Sequence, residues 1–220
     1  MDSAASFKEL MKQRHSVRFF QKKEIPENTL KDIISTALNS PSWGNSQPWN
    51  IYVASGKTLE EIRKVWISKN KEGIKGYSDL EPIHRENFSE RSQKILANLL
   101  KEFTEVGKDP DMKKFAESQA VLFNAPTLVY LTIPKGQIKY SIFDLGALEM
   151  SILLAAKSQG VDSLAAYEAI KYPDVIRKFC KIPETEDIII GIGLGYEDNN
   201  ELNNYRSKKL SLEEACHFYN

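Results

Sequence analysis

Seven consecutive residues, Thr127 to Ile133 (TLVYLTI), leave no side for water, the pattern of a strand covered on both faces rather than one. Residues 141–158 soon follow as the most apolar helical stretch of the chain, with Leu145, Leu148, Ile152, Leu153 and Ala156 at inward spacing. A fully buried strand type followed by so apolar a helix points to one domain of mixed α and β structure with that helix central. The 41% hydrophobic and 27% charged content of 220 residues supplies enough apolar material for such a core and enough polar surface to cover it.

The remaining elements follow from spacing and punctuation. Ser6 and Glu9 form a capping-box pair that predicts a helix over 6–15. Pro26 opens a second helix, ending near Asn39, in which Leu30, Ile33, Ile34, Ala37 and Leu38 make one stripe. SPSWGNSQP at 40–48 is turn chemistry, 49–54 a strand, 58–71 a helix with Leu59, Ile62, Val65 and Trp66 inward, and 73–86 an irregular polar stretch. A long helix from Phe88 carries Ile95, Leu96, Leu99, Leu100 and Phe103 and is ended by Gly107 and Pro110. Strands at 161–166 and 187–195, a helix from Pro173 to about Cys180, and a last helix with the capping box Ser211 to Glu214 complete the order. No repeat, low-complexity tract or linker interrupts it, and one domain over 1–220 is expected.

Thirty Lys plus Arg against thirty Asp plus Glu give no net charge, which argues against nucleic acid or an anionic membrane as partner. Two cysteines, Cys180 and Cys216, make no multi-bridge framework and fit a reducing cytoplasm. His15, His84 and His217 are too scattered for an imidazole metal site, so none is expected. No apolar stretch opens the chain, and the 121–133 segment, broken by Asn124 and Pro126, is too short to span a bilayer.

Four places have the residue types for chemistry. Residues 1–24 hold six Lys or Arg against three acids, centred on Arg14-His15-Ser16-Val17-Arg18. Two guanidiniums around a hydroxyl can grip a phosphate, or simply cap a helix C-terminus. The 40–48 loop offers Ser, Asn and Gln to the polar edge of a heteroaromatic ring, or satisfies its own backbone between prolines. Gly191-Ile192-Gly193-Leu194-Gly195 lacks both the spacing and the following helix of a dinucleotide fingerprint; its small residues suit close packing on the central helix or a planar ligand. Arg206-Ser207-Lys208-Lys209 follows an acid-only stretch over 184–201, on a polar tail (196–209) that is either loose or an arm ordered by another subunit. Arg206 and Lys208, two apart on an extended segment, can meet the same phosphate as Arg14, while Lys209 reads as solvent-facing.

RHSVR, PSWGNSQPW, GVDSLAAYE, YPDVIRKFCKIPETEDIIIGIGLGY and YRSKK, in this order from about residue 8 to 215, together resemble the nitroreductase family of FMN-dependent oxidoreductases. The resemblance implies an α+β fold with a central mixed sheet flanked by helices, in an interlocked homodimer that exchanges C-terminal arms and shares two FMN sites. It implies that Arg14, Ser16, Arg206 and Lys208 hold the phosphate and ribityl chain, with His15 adding backbone or ribityl contacts. Arg18 would approach the N1 and O2 edge of the ring, where negative charge develops. Pro41, Ser42, Trp43 and Asn45 would come from the other subunit, and Asp144 would lie near the ring edge unless it is a solvent-facing helix carboxylate.

Where many members carry a Pro-x-Glu-Gly-like stretch, this chain has Ala165, Ala166, Tyr167 and Glu168, which implies a different acceptor pocket with a backbone N–H of Tyr167 serving flavin N5. Arg18 and Tyr167 are thus the residues expected at the chemistry. The activity implied is hydride transfer from NADH or NADPH to FMN, then reduction of a nitroaromatic, quinone or similar acceptor in a ping-pong cycle. An FMN carrier or sensor without efficient turnover, and a dimeric scaffold with solvent-facing basic ends, are the alternatives. The stretch 73–112 matches the family least, and with it goes the identity of the acceptor.

Overall fold

The computed structural model describes residues 7–80 and 84–219. Its centre is β2 (Thr127–Pro134), buried from Thr127 through Ile133. Alternation along β2 divides the core: Leu128 and Tyr130 face one cluster, Val129, Leu131 and Ile133 the other. The first cluster is closed by α3 (Gly56–Lys71), through Leu59, Ile62 and Trp66, and by α7 (Pro173–Cys180), through Val175 and Ile176. The second is closed by α2 (Glu27–Ala37) and α6 (Lys139–Ser158), the latter burying all five residues that its periodicity puts inward. Each large aliphatic side chain so buried contributes about 1.5–3 kcal/mol, which makes α6 the main support of this layer.

The sheet runs β1 (Asn50–Ser55), β2, β4 (Glu186–Gly195), β3 (Asp162–Ala166). All three pairings are antiparallel, with Val129 opposite both Val53 and Ile192. The parallel component of the expected mixed sheet is the isolated bridge from Ser16 to Ser163. The β4 glycines do pack closely, but not on the central helix. A Cβ at Gly191 would lie 2.8 Å from that of Ala169, and one at Gly195 would lie 2.6 Å from Pro126 and 2.8 Å from Phe20.

Several expectations need correction. Leu38 falls on the helical stripe but follows the last turn of α2 and is 45% exposed. The helix expected from Phe88 is α4 (Glu90–Gly107), where Ser89 accepts from the Ser92 amide; along it Ile95 and Leu100 are exposed, and only Phe103 and Gly107 are buried. A helix that spacing does not signal, α5 (Lys113–Ala120), forms because the buried Asp109 carboxylate accepts from the Lys113 and Phe115 amides, satisfying two orphan donors of its first turn. The first helix is α1 (Phe7–Gln13); Ser6 of its expected capping box lies outside the described residues. The last, α8 (Leu212–Ala215), shows its expected capping box on Ser211 and Glu214. Among the described residues no helix is long and apolar enough to cross a membrane.

Candidate functional site

After α1 ends, residues 16–20 run beside β3, with the Val17 amide donating to the Ser163 carbonyl at 3.0 Å. Val17 is fully buried, so its neighbours Ser16 and Arg18 are turned to the other side. The segment is then stitched to the stretch after β4: the Gln21 amide donates to the Tyr196 carbonyl, and the Asp198 amide to that of Phe19. His15, also buried, closes the same seam, its Nδ1 3.0 Å from the Gln13 carbonyl and its Nε2 2.9 Å from a Glu197 carboxylate oxygen. Both ring nitrogens are thus met by acceptors.

The tail read as loose or partner-ordered is anchored within this chain. A short turn over Glu201–Asn204 buries Leu202 and Asn203, and Leu202 and Tyr205 pack on Phe103 of α4. Asn203 is the clasp. Its Oδ1 accepts from the Arg18 and Phe19 amides at 2.8 and 3.2 Å, while its Nδ2 donates to the Phe19 carbonyl at 2.8 Å and to Asp198. A buried amide engaged on both its donor and acceptor sides fixes the two chain ends to one another. Arg206 Nη1 donates to the Asn203 carbonyl at 2.6 Å, so that guanidinium is held against the same clasp.

The two termini so joined line one cavity of about 670 Å³. Among the described residues six cationic side chains face it, Lys8, Lys12, Arg14, Arg18, Arg206 and Lys209, together with His15, Ser16 and Ser207, and none of the described carboxylates lines it. Arg18 is partly buried, donates through Nη1 to the Ser16 carbonyl at 2.9 Å, and lies over the Phe103 ring at 4.9 Å. Burial pulls its guanidinium below the ordinary arginine value. Arg14 Nε is buried without a hydrogen-bond partner among the described residues. Behind Arg14, burial pushes the Glu149 carboxyl of α6 above the usual carboxylate range, and attraction to Arg14 only partly opposes the shift. A cation-lined hollow with an orphaned guanidinium nitrogen suits a phosphate monoester.

Of the residues expected at the site, Arg14, His15, Ser16, Arg18 and Arg206 converge here. Lys208 does not meet Arg14; it lines a neighbouring cavity of about 470 Å³ with Ile95, Leu99 and Glu102, while Lys209 lies on both. The reason is local: Arg206 curls back onto its own turn, so the two side chains do not share one side. Pro41, Ser42, Trp43 and Asn45 lie on a loop that lines neither cavity. Trp43 is 70% exposed there, and the Gln47 amide donates to Ser42 Oγ. Asp144 is no solvent-facing carboxylate: it is buried and accepts from the Trp43 amide at 3.0 Å, anchoring that loop to α6.

Ala165 and Ala166 end β3, and Tyr167 starts the turn after it with its ring half exposed. Ser78 Oγ donates to the Leu80 carbonyl, so the Tyr167 hydroxyl, 2.6 Å away, is left to donate to Ser78. The 74–80 segment that brings Ser78 there is itself tied down, the Tyr77 amide to the Lys171 carbonyl and Asp79 to Arg177 at 2.8 Å. Asn203, Glu149 and the cavity-facing Lys209 were missed by sequence reasoning. Only the apolar pair Leu202 and Tyr205, three apart in a polar tail, hinted that the tail is docked.

The family model of the nitroreductase family matches residues 11–196. A chloronitrobenzene nitroreductase of Comamonas testosteroni is 27% identical over 226 residues, covering 99% of each chain. A 4-nitrobenzoate reductase of Pseudomonas putida is 26% identical, over 96% of this chain and 95% of the relative. Among solved structures, that of the FMN-dependent nitroreductase NfnB from Mycobacterium smegmatis in complex with NADPH superposes with a TM-score of 0.88 at 23% identity, over 97% of both chains. With a family match spanning this much of the sequence and a fold that agrees, this chain belongs to the nitroreductase family.

Proposed function

We propose that the chain is an FMN-dependent oxidoreductase that takes reducing equivalents from NADH or NADPH and reduces nitroaromatics or similar electron-poor acceptors. The observation that carries this reading is the convergence of both chain ends on one cavity lined by cations and, among the described residues, by no carboxylate. Relatives named for the reduction of nitrobenzenes and nitrobenzoates support the acceptor class. When bound, FMN supplies the hydride chemistry.

The protein's part is to bind and to shape the field. Arg14, Ser16 and Arg206 would hold the phosphate, with Arg14 Nε still to be satisfied and Arg206 pre-aimed by Asn203. Arg18, held on the Phe103 ring with little solvent around it, would stabilise negative charge near the ring edge more strongly than an exposed cation could. Tyr167, held by Ser78, would flank the acceptor. The apolar groups that stay exposed on and beside α6, Tyr140, Ile142, Phe143 and Trp43, support a homodimer in which a partner covers them and lends its 41–45 loop to the site. The free thiols of Cys180 and Cys216 fit the cytoplasm.

Purified protein incubated with FMN and dialysed should keep a flavin spectrum and lose it on anaerobic mixing with NADPH or NADH. Arg14→Ala should weaken FMN binding about ten- to a hundredfold, the loss of one charge-assisted contact. No uptake would refute the reading; uptake without bleaching would make the chain a carrier.

A further inference from the structure

We infer that Lys8 and Lys12 form a subsite for the 2′-phosphate of NADPH, so that the enzyme prefers NADPH to NADH. This rests on the flavin reading above and deepens it by naming the donor. The first observation is a charge surplus. A phosphate monoester carries about 1.5–2 negative charges at neutral pH, whereas six cations and no carboxylate among the described residues line the cavity. One FMN phosphate leaves most of that positive charge unmatched. A cavity of about 670 Å³ has room for more than one anionic group.

The second observation is how five of these cations divide. Arg14, Arg18 and Arg206 lie along the clasped seam, two of them bonded to backbone carbonyls, as suits a resident group held in fixed geometry. Lys8 and Lys12 stand one turn apart on a single face of α1, so their ammonium groups reach the cavity mouth together. Lys8 has no carboxylate partner among the described residues. The Lys12 contact to Glu9, 3.3 Å and largely exposed, is of the weak kind that a dianion displaces. Flexible, hydrated point charges of this sort suit a ligand that must arrive and leave in each cycle. On the same face Phe7 and Met11 are 69% and 43% exposed beside the lysines, offering apolar surface against which a nucleobase can lie. NADPH differs from NADH only in the phosphate such a pair would recognise.

The test uses the flavin-loaded protein, with 2′,5′-ADP and 5′-AMP as probes in titration calorimetry and the ratio of kcat/KM for NADPH over NADH as a second readout. We expect 2′,5′-ADP to bind about tenfold or more tightly than 5′-AMP, and the double variant Lys8→Ala with Lys12→Ala to close that gap and lower the kcat/KM ratio by a similar factor. Arginine at both positions should retain the gap. Equal affinity for the two probes, or a gap that survives the alanine variant, overturns the inference while FMN uptake leaves the underlying function standing. A chain that takes up no FMN brings down both. If the alanine variant instead raises KM for 4-nitrobenzoate and leaves the nucleotide ratio alone, the lysines serve an acidic acceptor and the inference fails.

Discussion

Glu149 lies behind the cationic cavity, and its carboxyl is held above the usual range because burial outweighs the attraction of Arg14. A carboxyl raised in the folded state destabilises the fold once ionised; the penalty is absent below its unfolded value and grows as pH rises through it. Glu149→Gln should therefore be at least as stable as the unaltered protein at pH 7, with the difference vanishing near pH 4. The same change removes a negative charge beside Arg14 and should tighten FMN binding at neutral pH. Urea titrations at the two pH values check the first outcome, and a variant less stable at pH 7 alone would contradict the assignment. At this scale the sequence showed two guanidiniums around a hydroxyl at Arg14, Ser16 and Arg18, a pattern open to a helix cap as well as a phosphate grip, and the structure puts all three on one cavity. Asn203 could not be read in advance, since an asparagine in a polar tail looks the same whether it is solvated or bonded on both sides of its amide.

Elements with their own period were legible, and those held by tertiary partners were not. The helix α6 and the strand β2 formed where their apolar spacing put them. In contrast, α5 rests on capping by Asp109, and the apolar stripe of α4 stays half open because the tail covers only its last turns. The glycines of β4 needed the neighbouring elements to acquire a meaning. Gly195→Ala would drive a methyl to 2.6 Å from Pro126 and 2.8 Å from Phe20, on the wall behind the 16–20 segment. We expect a loss of about 1–3 kcal/mol, typical of overpacking, and a fall in melting temperature of roughly 2–4 °C for each kcal/mol in a chain of this size. Melting followed by circular dichroism would show it; an unchanged midpoint would mean that the contact relaxes freely. Because Ser16 and Arg18 line the cavity proposed to hold FMN, FMN retention should fall with it.

On the scale of the whole molecule, Tyr140, Phe143 and Trp43, 63, 75 and 70% exposed, form the apolar surface that the proposed homodimer would cover. If a second copy covers it, sedimentation should give twice the chain mass, and Phe143→Glu should yield a folded monomer with impaired FMN retention. A monomeric unaltered protein would remove the shared-site reading and leave the cavity between the two termini to act alone. The amino-acid order by itself determined the layered α+β architecture, because hydrophobic spacing is written locally and each period selects its own backbone. Only the tertiary structure decided that residues nearly two hundred positions apart close one cavity, that Lys209 rather than Lys208 shares it with Arg14, and that Asp144 anchors a loop. Those outcomes depend on which buried donor finds which acceptor across the fold, a choice made by the packed chain and carried by no short stretch of it.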